Sequence, residues 1–527
     1  MLLGAIALLA APGLLLWLAA RLAGGSPQPD VWDWPARAAE AELDQRPFAP
    51  WTWVGAGHVA SPALFYAVCV LSMLLLGGVA LWAGYALAGG ISAWFPGLFG
   101  RHGEPRPAAR TELGRLTVRG PRPGRMIVGH SGALVATEPG CPLLVFGAPG
   151  SGKTAAYCVP IVQEWSGPVV AASTKPDLVD ATAGVRQHLG WVEICDQSGA
   201  TGLATRSWSP EAGCDDFDAA LRRAGWMVRG LAGAGDGGDA ATRAVLSVAL
   251  WAAAGGVATF AELSDCLRTA DGVRLRQIAG RVPQPDPRVQ HALTALAGLA
   301  PAAREECCRA VARVLEATAE EGAHAQANGA PLHPGEMVPR GDGALYLVAR
   351  EAEPDRPSPW ACGALGSVLD EAFRAAAAGP GQVLDRPLLV VFDGVVPSTL
   401  LGELAQYLAL AGAVNITLLI TFTGQGEDWS GDAAEEFLGG VGAIVFLGGQ
   451  QDDAVLRLAA ELAPALVSAG DGPAGLELAG LLGPGQGVLL HEGLPPVALW
   501  AQPWFQIRRL ARLQATRPYV KGVGRVG

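Results

Sequence analysis

The sequence predicts an α/β fold around a mostly parallel sheet, with an all-α insertion domain and two N-terminal transmembrane helices. Three observations carry that prediction. From about residue 141 onward, short apolar runs alternate with helix-patterned segments, the arrangement of strands joined by crossover helices. Between about 231 and 340 the strand-like runs stop, and Ala, Leu and Arg recur at helical spacing, as in AATRAVLSVALWAAA and CCRAVARVLEATAEE. Near the amino terminus, nineteen residues from Leu2 to Ala20 and thirty-six from Ser61 to Pro96 carry no charge, and a membrane span needs only about 20 apolar residues.

Residues 1–100 are therefore expected to form a membrane anchor, with helices at about 2–20 and 63–95 and a short extracytoplasmic loop between them. No Lys or Arg precedes the first apolar run, so it reads as an uncleaved anchor rather than a signal peptide. Residues 101–125 form a juxtamembrane linker. From Arg101 to Arg125 there are seven arginines against two glutamates, whereas Arg21 to Ser61 holds three arginines against five acids. Because basic residues beside a span stay on the inner side, everything after residue 96 is expected to be cytoplasmic, and the protein to be a multi-pass one of the cell membrane. The loop tryptophans Trp32, Trp34, Trp51 and Trp53 are then expected at headgroup level.

The remaining elements follow in order. CPLLVF (141–146) reads as a buried strand, the stretch from Lys153 to Trp165 as a helix, and PVVAAS (168–173) and WVEIC (191–195) as further strands. After the helical insertion at 231–340 the sheet resumes with ALYLVA (344–349), PLLVVFD (387–393), ITLLITF (416–422), AIVFL (443–447) and GVLLH (487–491). Residues 126–230 and 341–505 thus form the two parts of one sheet domain. Residues 506–527 are a basic tail: from Gly493 to the end there are six basic residues and no acid, and such a terminus is expected to fray in solvent.

The chemistry begins at GAPGSGKT, Gly147 to Thr154, which fits G-x-x-x-x-G-K-[ST] between a predicted strand and a predicted helix. Glycines at 147, 150 and 152, with Ala148, Pro149 and Ser151 between them, let backbone N–H groups curl around phosphate oxygens at a helix N-terminus. Lys153 would contact the β- and γ-phosphates of ATP, and Thr154 would ligate Mg²⁺. Asp393 ends an apolar run, where a carboxylate can hold the magnesium water shell. The sheet domain is therefore a P-loop nucleotide-binding domain, with Gly147 to Thr154 and Asp393 as its cofactor site.

Composition bounds the rest. The chain has 527 residues, enough for more than one domain, and half of them are hydrophobic. A formal net charge of −11 argues against an all-over grip on nucleic acid. The nine cysteines show no C-x-x-C and no histidines at ligand spacing, so a zinc site or disulfide framework is not expected.

Beyond these motifs, the chain resembles the conjugative coupling ATPases, the TraG/TraD-type proteins that link DNA processing to a type IV secretion channel, in their actinobacterial forms. The resemblance covers most of residues 115–510. It rests on LLVFGAPGSGKTAAYCVPIVQEWSGPVVAASTKPDLVDATAG, on DQSGATGLATRSWSPEAGCDDFDAALRRAGWM and on LPPVALWAQPWF. It implies a RecA/FtsK-like P-loop NTPase fold, ATP and Mg²⁺ as cofactors, and a homo- or hetero-hexameric ring in the membrane. DNA, a relaxase and components of the secretion channel are the implied partners, met through the helical domain.

Three departures from the family pattern bear on hydrolysis. Where the family has Asp-Glu, this chain has Asp393-Gly394, so the carboxylate that polarises the attacking water is missing. No Lys or Arg lies between Arg386 and Arg457, where a neighbouring subunit's arginine would be expected. Threonine replaces the glutamine at the end of the strand in ITFTGQG, with Gln425 close by. Glu403 and Glu427 are candidate replacements for the glutamate, and Arg206 and Arg350 for the arginine. Lys175 and Asp177, in STKPDL, lie just past the second strand. A trans arginine is worth ~10³ to 10⁵ in rate, so the expectation is a coupling-protein homologue that binds Mg·ATP and either translocates DNA or serves as a hydrolysis-impaired scaffold. No catalytic residue is assigned.

Overall fold

The computed structural model describes residues 14–27, 34–43, 49–72, 112–230, 239–269, 272–283, 286–326, 330–349, 351–353, 356–396, 398–424, 429, 431–450, 452–462 and 485–521. The chain divides into two compact units, Met1–Glu104 and Pro105–Gly527.

In the first unit, helical residues 14–22 and 62–72 accompany the helix Trp34–Leu43 and the turn Pro50–Val54. Ala19, Ala20, Ala23, Val54, Ala56 and Phe65 form a small core, against which Trp34 and Trp51 pack. Trp51 meets Phe65 edge to face at 5.5 Å, so these two expected headgroup tryptophans spend ring surface on the unit's own core. Among the described residues no helix is long and apolar enough to cross a membrane. Of the two expected spans, residues 2–13 and 73–95 lie outside the described residues.

The second unit is built on one sheet. Its central strands are β1 (Leu143–Phe146), β2 (Val169–Ser173), β3 (Val192–Asp196), β4 (Ala344–Val348), β5 (Leu388–Asp393), β6 (Ile416–Phe422), β7 (Ala443–Leu447), β8 (Gln486–His491) and β9 (Val497–Trp500). In space they run β9-β8-β7-β1-β6-β5-β2-β4-β3. The seven strands from β7 to β3 are parallel, and β8 and β9 are antiparallel additions. Short strands at Thr117–Val118, Ile127–His130 and Leu134–Ala136 extend the β9 edge, and Arg206–Ser207 with Ala330–Pro331 extend the β3 edge.

Every residue of β1, β2, β4, β5, β6 and β7 is buried, as a parallel sheet covered on both faces requires. The pleat sends alternate side chains to opposite sides. Leu143, Val145, Leu389 and Val391 enter a core shared with Ile161 of α1 (Val159–Glu164) and Val179 of α2 (Asp177–Leu189). Leu144, Phe146, Val390 and Phe392 enter the opposite core. There, after α3 (Phe217–Arg229) and the insertion helices, the chain supplies α9 (Pro359–Ala378), α10 (Leu401–Ala411), α11 (Asp432–Gly439) and α12 (Asp453–Leu462). Phe146 stacks on Phe422 and Phe446 at 5.5 and 5.1 Å, and Trp429 caps Phe146 and Phe422 edge-on, each at 4.8 Å. This aromatic block underlies the end of β1.

The insertion comprises α4 (Asp239–Ala254), α5 (Phe260–Arg268), α6 (Gly272–Ala279), α7 (Pro287–Gly298) and α8 (Pro301–Gln326). These helices share their own core, with Leu250, Leu263, Leu275, Leu293 and Leu315 at its centre. That core begins earlier than residue 231, because Cys214, Phe217, Ala224 and Met227 on and before α3 are part of it. Side-chain caps fix where helices start: Asp216 for α3, Thr259 and Glu262 in a capping box for α5, and Asp286 for α7.

The basic tail does not fray over its described length. Residues Arg508–Thr516 form α13, with Leu510 fully buried, and the chain continues against α2. Its physical anchor is Gly184: a Cβ there would lie 1.9 Å from the Arg517 carbonyl oxygen and 2.6 Å from the Tyr519 nitrogen, so only glycine lets the two backbones cross.

Candidate functional site

Gly147 to Thr154 connect β1 to the turn that opens α1. The Gly147 N–H donates to the Phe422 carbonyl at 3.1 Å, which ties the start of the loop to the end of β6. A Cβ on Gly147 would sit 2.4 Å from Ser151 Oγ and 3.1 Å from Leu447 Cδ1, so a larger residue here would have to displace both side chains. Gly150 and Gly152 have φ of +77° and +94°, the left-handed region that turns successive amides toward one concavity. Ser151 Oγ is buried with no hydrogen-bond partner among the described residues. A buried hydroxyl without a partner is a cost unless an acceptor arrives, and a phosphate oxygen would supply one.

Lys153 is buried, and its Nζ donates to the carbonyls of Gly147 and, at 3.1 Å, Ala148. The ammonium therefore arches over the loop, where an entering anion would compete with neutral carbonyls for it. A charge-assisted bond is the stronger of the two. Thr154–Cys158 is a wide, π-helical turn, and the Val159 N–H reaches back to the Thr154 carbonyl. Such turns are frequent at functional sites.

Asp393 closes the site. It is the last residue of β5, buried, and in register with Thr421 of β6 and Ser173 of β2. Oδ2 accepts from Thr154 Oγ1 at 2.7 Å and Oδ1 from Thr421 Oγ1 at 2.8 Å. Burial first, and then the neighbouring Asp393 carboxylate, hold the Cys158 thiol well above its ordinary pKa, so it stays protonated. Thr154 and Asp393, expected to serve one cation, are thus brought together across 239 residues of sequence. Among the described residues no cluster of three or more His, Cys, Asp or Glu could cage a metal alone. A hydroxyl and one carboxylate fit Mg²⁺, which keeps its waters and takes further ligands from phosphates.

Gly394 follows with φ +67°, and a Cβ there would meet nothing within 4 Å. The position is open in space but set in a backbone conformation that side chains resist. Glu403 sits on α10 and pairs with Arg229 at 3.7 Å. Arg206 pairs with Glu336 and, at 3.6 Å, with Glu193 at the far edge of the sheet. Gln425, Glu427 and Arg350 lie outside the described residues. Lys175 and Asp177 are exposed beyond the end of β2, three strands from β1 in the sheet order.

Two groups escaped the sequence reading. Thr421 completes the Asp393 pair, and only strand register reveals it. Gln450 is buried just past β7, and its Nε2 donates to the Thr423 carbonyl just past β6 at 3.3 Å. Since β1 lies between those strands, this amide spans the strand end from which the P-loop springs. Glutamine after the paired glycines of FLGGQQ was the available signal.

No protein-family model and no curated protein matches the sequence. Solved structures do match it. The plasmid coupling protein TrwB in complex with ADP and Mg²⁺ is similar at 16% identity and TM-score 0.52, over 76% of this chain and 94% of that one. TrwB in complex with an ATP analogue gives 16% identity and TM-score 0.52, over 76% and 93%. The sulphate complex of the bacterial conjugative coupling protein TrwBdeltaN70 gives 16% and 0.50, over 76% and 93%. At this identity the likeness is one of fold.

Proposed function

We propose that this chain is a membrane-anchored nucleotide-binding protein of the coupling type, holding ATP and Mg²⁺ at Gly147 to Thr154 and Asp393 and hydrolysing ATP weakly. The observation that carries the reading is the hydrogen bond between Thr154 Oγ1 and Asp393 Oδ2 at 2.7 Å, beside the unpartnered Ser151 hydroxyl. Solved structures of the same fold hold ADP with Mg²⁺ and an ATP analogue.

In this site the amides of Gly150, Gly152, Lys153 and Thr154 and the Lys153 ammonium would bind and orient the phosphates, while the Gly147 and Ser151 N–H groups hold the loop to Phe422 and Ala148. Thr154 and Asp393 fix the cation, which neutralises phosphate charge when bound. Thr421 keeps the Asp393 carboxylate turned toward Thr154. None of these groups removes a proton from water, and Gly394 offers no side chain to do so. Binding therefore outlives hydrolysis, which favours a scaffold serving conjugative or type IV secretion DNA transfer over a self-sufficient motor. Its setting is a homo- or hetero-hexameric ring, with DNA, a relaxase and channel components as partners.

Anchoring is supported by exposed apolar side chains of the first unit. Leu14, Leu18 and Leu22 project from residues 14–22, and Leu64, Val70 and Leu71 from residues 62–72. Rows of this kind suit lipid better than water.

The test is a titration of the detergent-solubilised full chain with Mg·ATP, alongside a turnover assay with and without single-stranded DNA. Saturable binding lost in Lys153→Ala, with turnover at background, is the expected result. DNA-stimulated turnover abolished by the same substitution would replace the scaffold with the motor. Absence of binding in the wild type would remove both.

A further inference from the structure

Residues 506–527 are expected from the sequence to fray, yet residues 504–521 touch elements of the proposed nucleotide site at four places. The turn Trp504–Gln506 packs against Thr154–Cys158, the turn that leaves the P-loop. Arg509 forms an ion pair with Glu164, the last residue of α1, whose side chain is only 10% exposed. Beyond α13, the Val520 N–H donates to Gln187 Oε1 at 2.9 Å, and Gln187 Nε2 donates back to the Val520 carbonyl at 2.8 Å. Between these contacts the backbone of residues 517–519 crosses α2 at Gly184.

We propose that residues 504–521 are a positioning brace: they clamp α1 at both ends and lock it to α2, so that nucleotide affinity depends on a segment remote in sequence from the P-loop. The idea rests on the nucleotide-binding reading above. Its physical basis is that Lys153, Thr154 and the amides beside them act on phosphate only from one placement of the turn Thr154–Cys158 that opens α1. α1 is short, spanning Val159–Glu164 after its π-helical turn, and a helix of this length has little stability without packing. Val159 to Gln163 are buried and Gln163 Nε2 donates to the Ala181 carbonyl of α2 at 2.8 Å; Trp504 adds cover to the turn before α1, and Arg509 pairs with the residue that ends it. Releasing the brace leaves the carboxylate of Glu164 without its partner and the turn at 154–158 without its cover.

The experiment uses the full chain in detergent and a fluorescent ATP analogue with Mg²⁺. Gly184→Ala, which cannot coexist with the crossing backbone, and the milder Gln187→Ala, which removes two hydrogen bonds, are compared with the wild type. We expect Gly184→Ala to weaken affinity by about tenfold, equivalent to about 1.4 kcal/mol, and Gln187→Ala by less. Glu164→Arg and Arg509→Glu should each weaken binding, and the double exchange should restore it, a rescue that general destabilisation would not give. Hydrogen exchange over residues 154–164 provides a readout that needs no nucleotide, and it should accelerate in Gly184→Ala and Gln187→Ala. Unchanged exchange in both variants overturns the brace. Faster exchange with wild-type affinity overturns its control of binding. If the wild type binds no nucleotide while exchange still accelerates, the brace stands and the nucleotide reading falls.

Discussion

At the scale of single residues, the site turns on what Asp393 holds and what Gly394 lacks. Asp393→Asn keeps the shape but removes the charge, so Mg²⁺-dependent affinity for ATP should fall about tenfold or more while affinity in EDTA changes little; paired titrations check this. Gly394→Ala should cost about 1 kcal/mol through its positive φ alone, since a Cβ there meets nothing within 4 Å. Chemical denaturation measures that cost. The loop of residues 147–154 was legible as a strand-to-helix turn because its glycines shape the backbone locally. Thr421 and Gln450 were not, since each matters only through the strand beside it, and strand order is not written in any one segment. The DQSGAT stretch, legible as part of a family pattern, proves in the fold to be a loop tied by its own acid. Asp196 accepts from Ser198 Oγ at 2.7 Å, from Gly199 N–H at 2.8 Å, and from the Thr201 N–H and hydroxyl at 2.8 and 2.6 Å.

At the scale of elements, the strands declared themselves because a parallel sheet covered on both faces needs apolar runs: β1 and β7 are unbroken ones, β5 is interrupted only at Asp393 and β6 only at Thr417 and Thr421. Their order did not. β6 lies between β1 and β5, which sets Thr421 beside Asp393, and nothing in ITLLITF states that. Phe146 ends β1 beneath the P-loop and contacts Phe422, Phe446 and Trp429. Phe146→Ala should therefore cost about 3–5 kcal/mol and loosen the loop above it, visible as a lowered denaturation midpoint with weaker ATP binding. The helical insertion was legible from its spacing, but its core also takes one face of α3, because that helix has apolar residues on both sides. Only packing tells which side meets which partner.

At the scale of the whole molecule, burial governs its thiols and a long-range contact governs its last residues. Burial pushes Cys141 and Cys195 up to about 12, and Cys214 and Cys307 up to about 11. At pH 8 these thiols should be almost wholly protonated, with a thiolate fraction of ~10⁻³ or less, and should react with a thiol reagent only after denaturation. The sign for stability follows: the folded state binds these protons more tightly. Their contribution is complete below about pH 8.5, where unfolded thiols begin to ionise, and is lost as pH rises toward the folded values. A denaturation series across alkaline pH should register the decline. The bond pair between Gln187 and Val520 spans 333 residues, which sequence patterning has no means to reveal. It also sets a timetable. During synthesis at ~5–20 residues per second, residues 147–164 emerge from the ribosome well before residues 504–521 do, so α1 goes without its contacts to that segment for roughly tens of seconds. A polypeptide released early, short of residues 504–527, would carry every residue of the proposed phosphate site and still lack the contacts that reach it from afar.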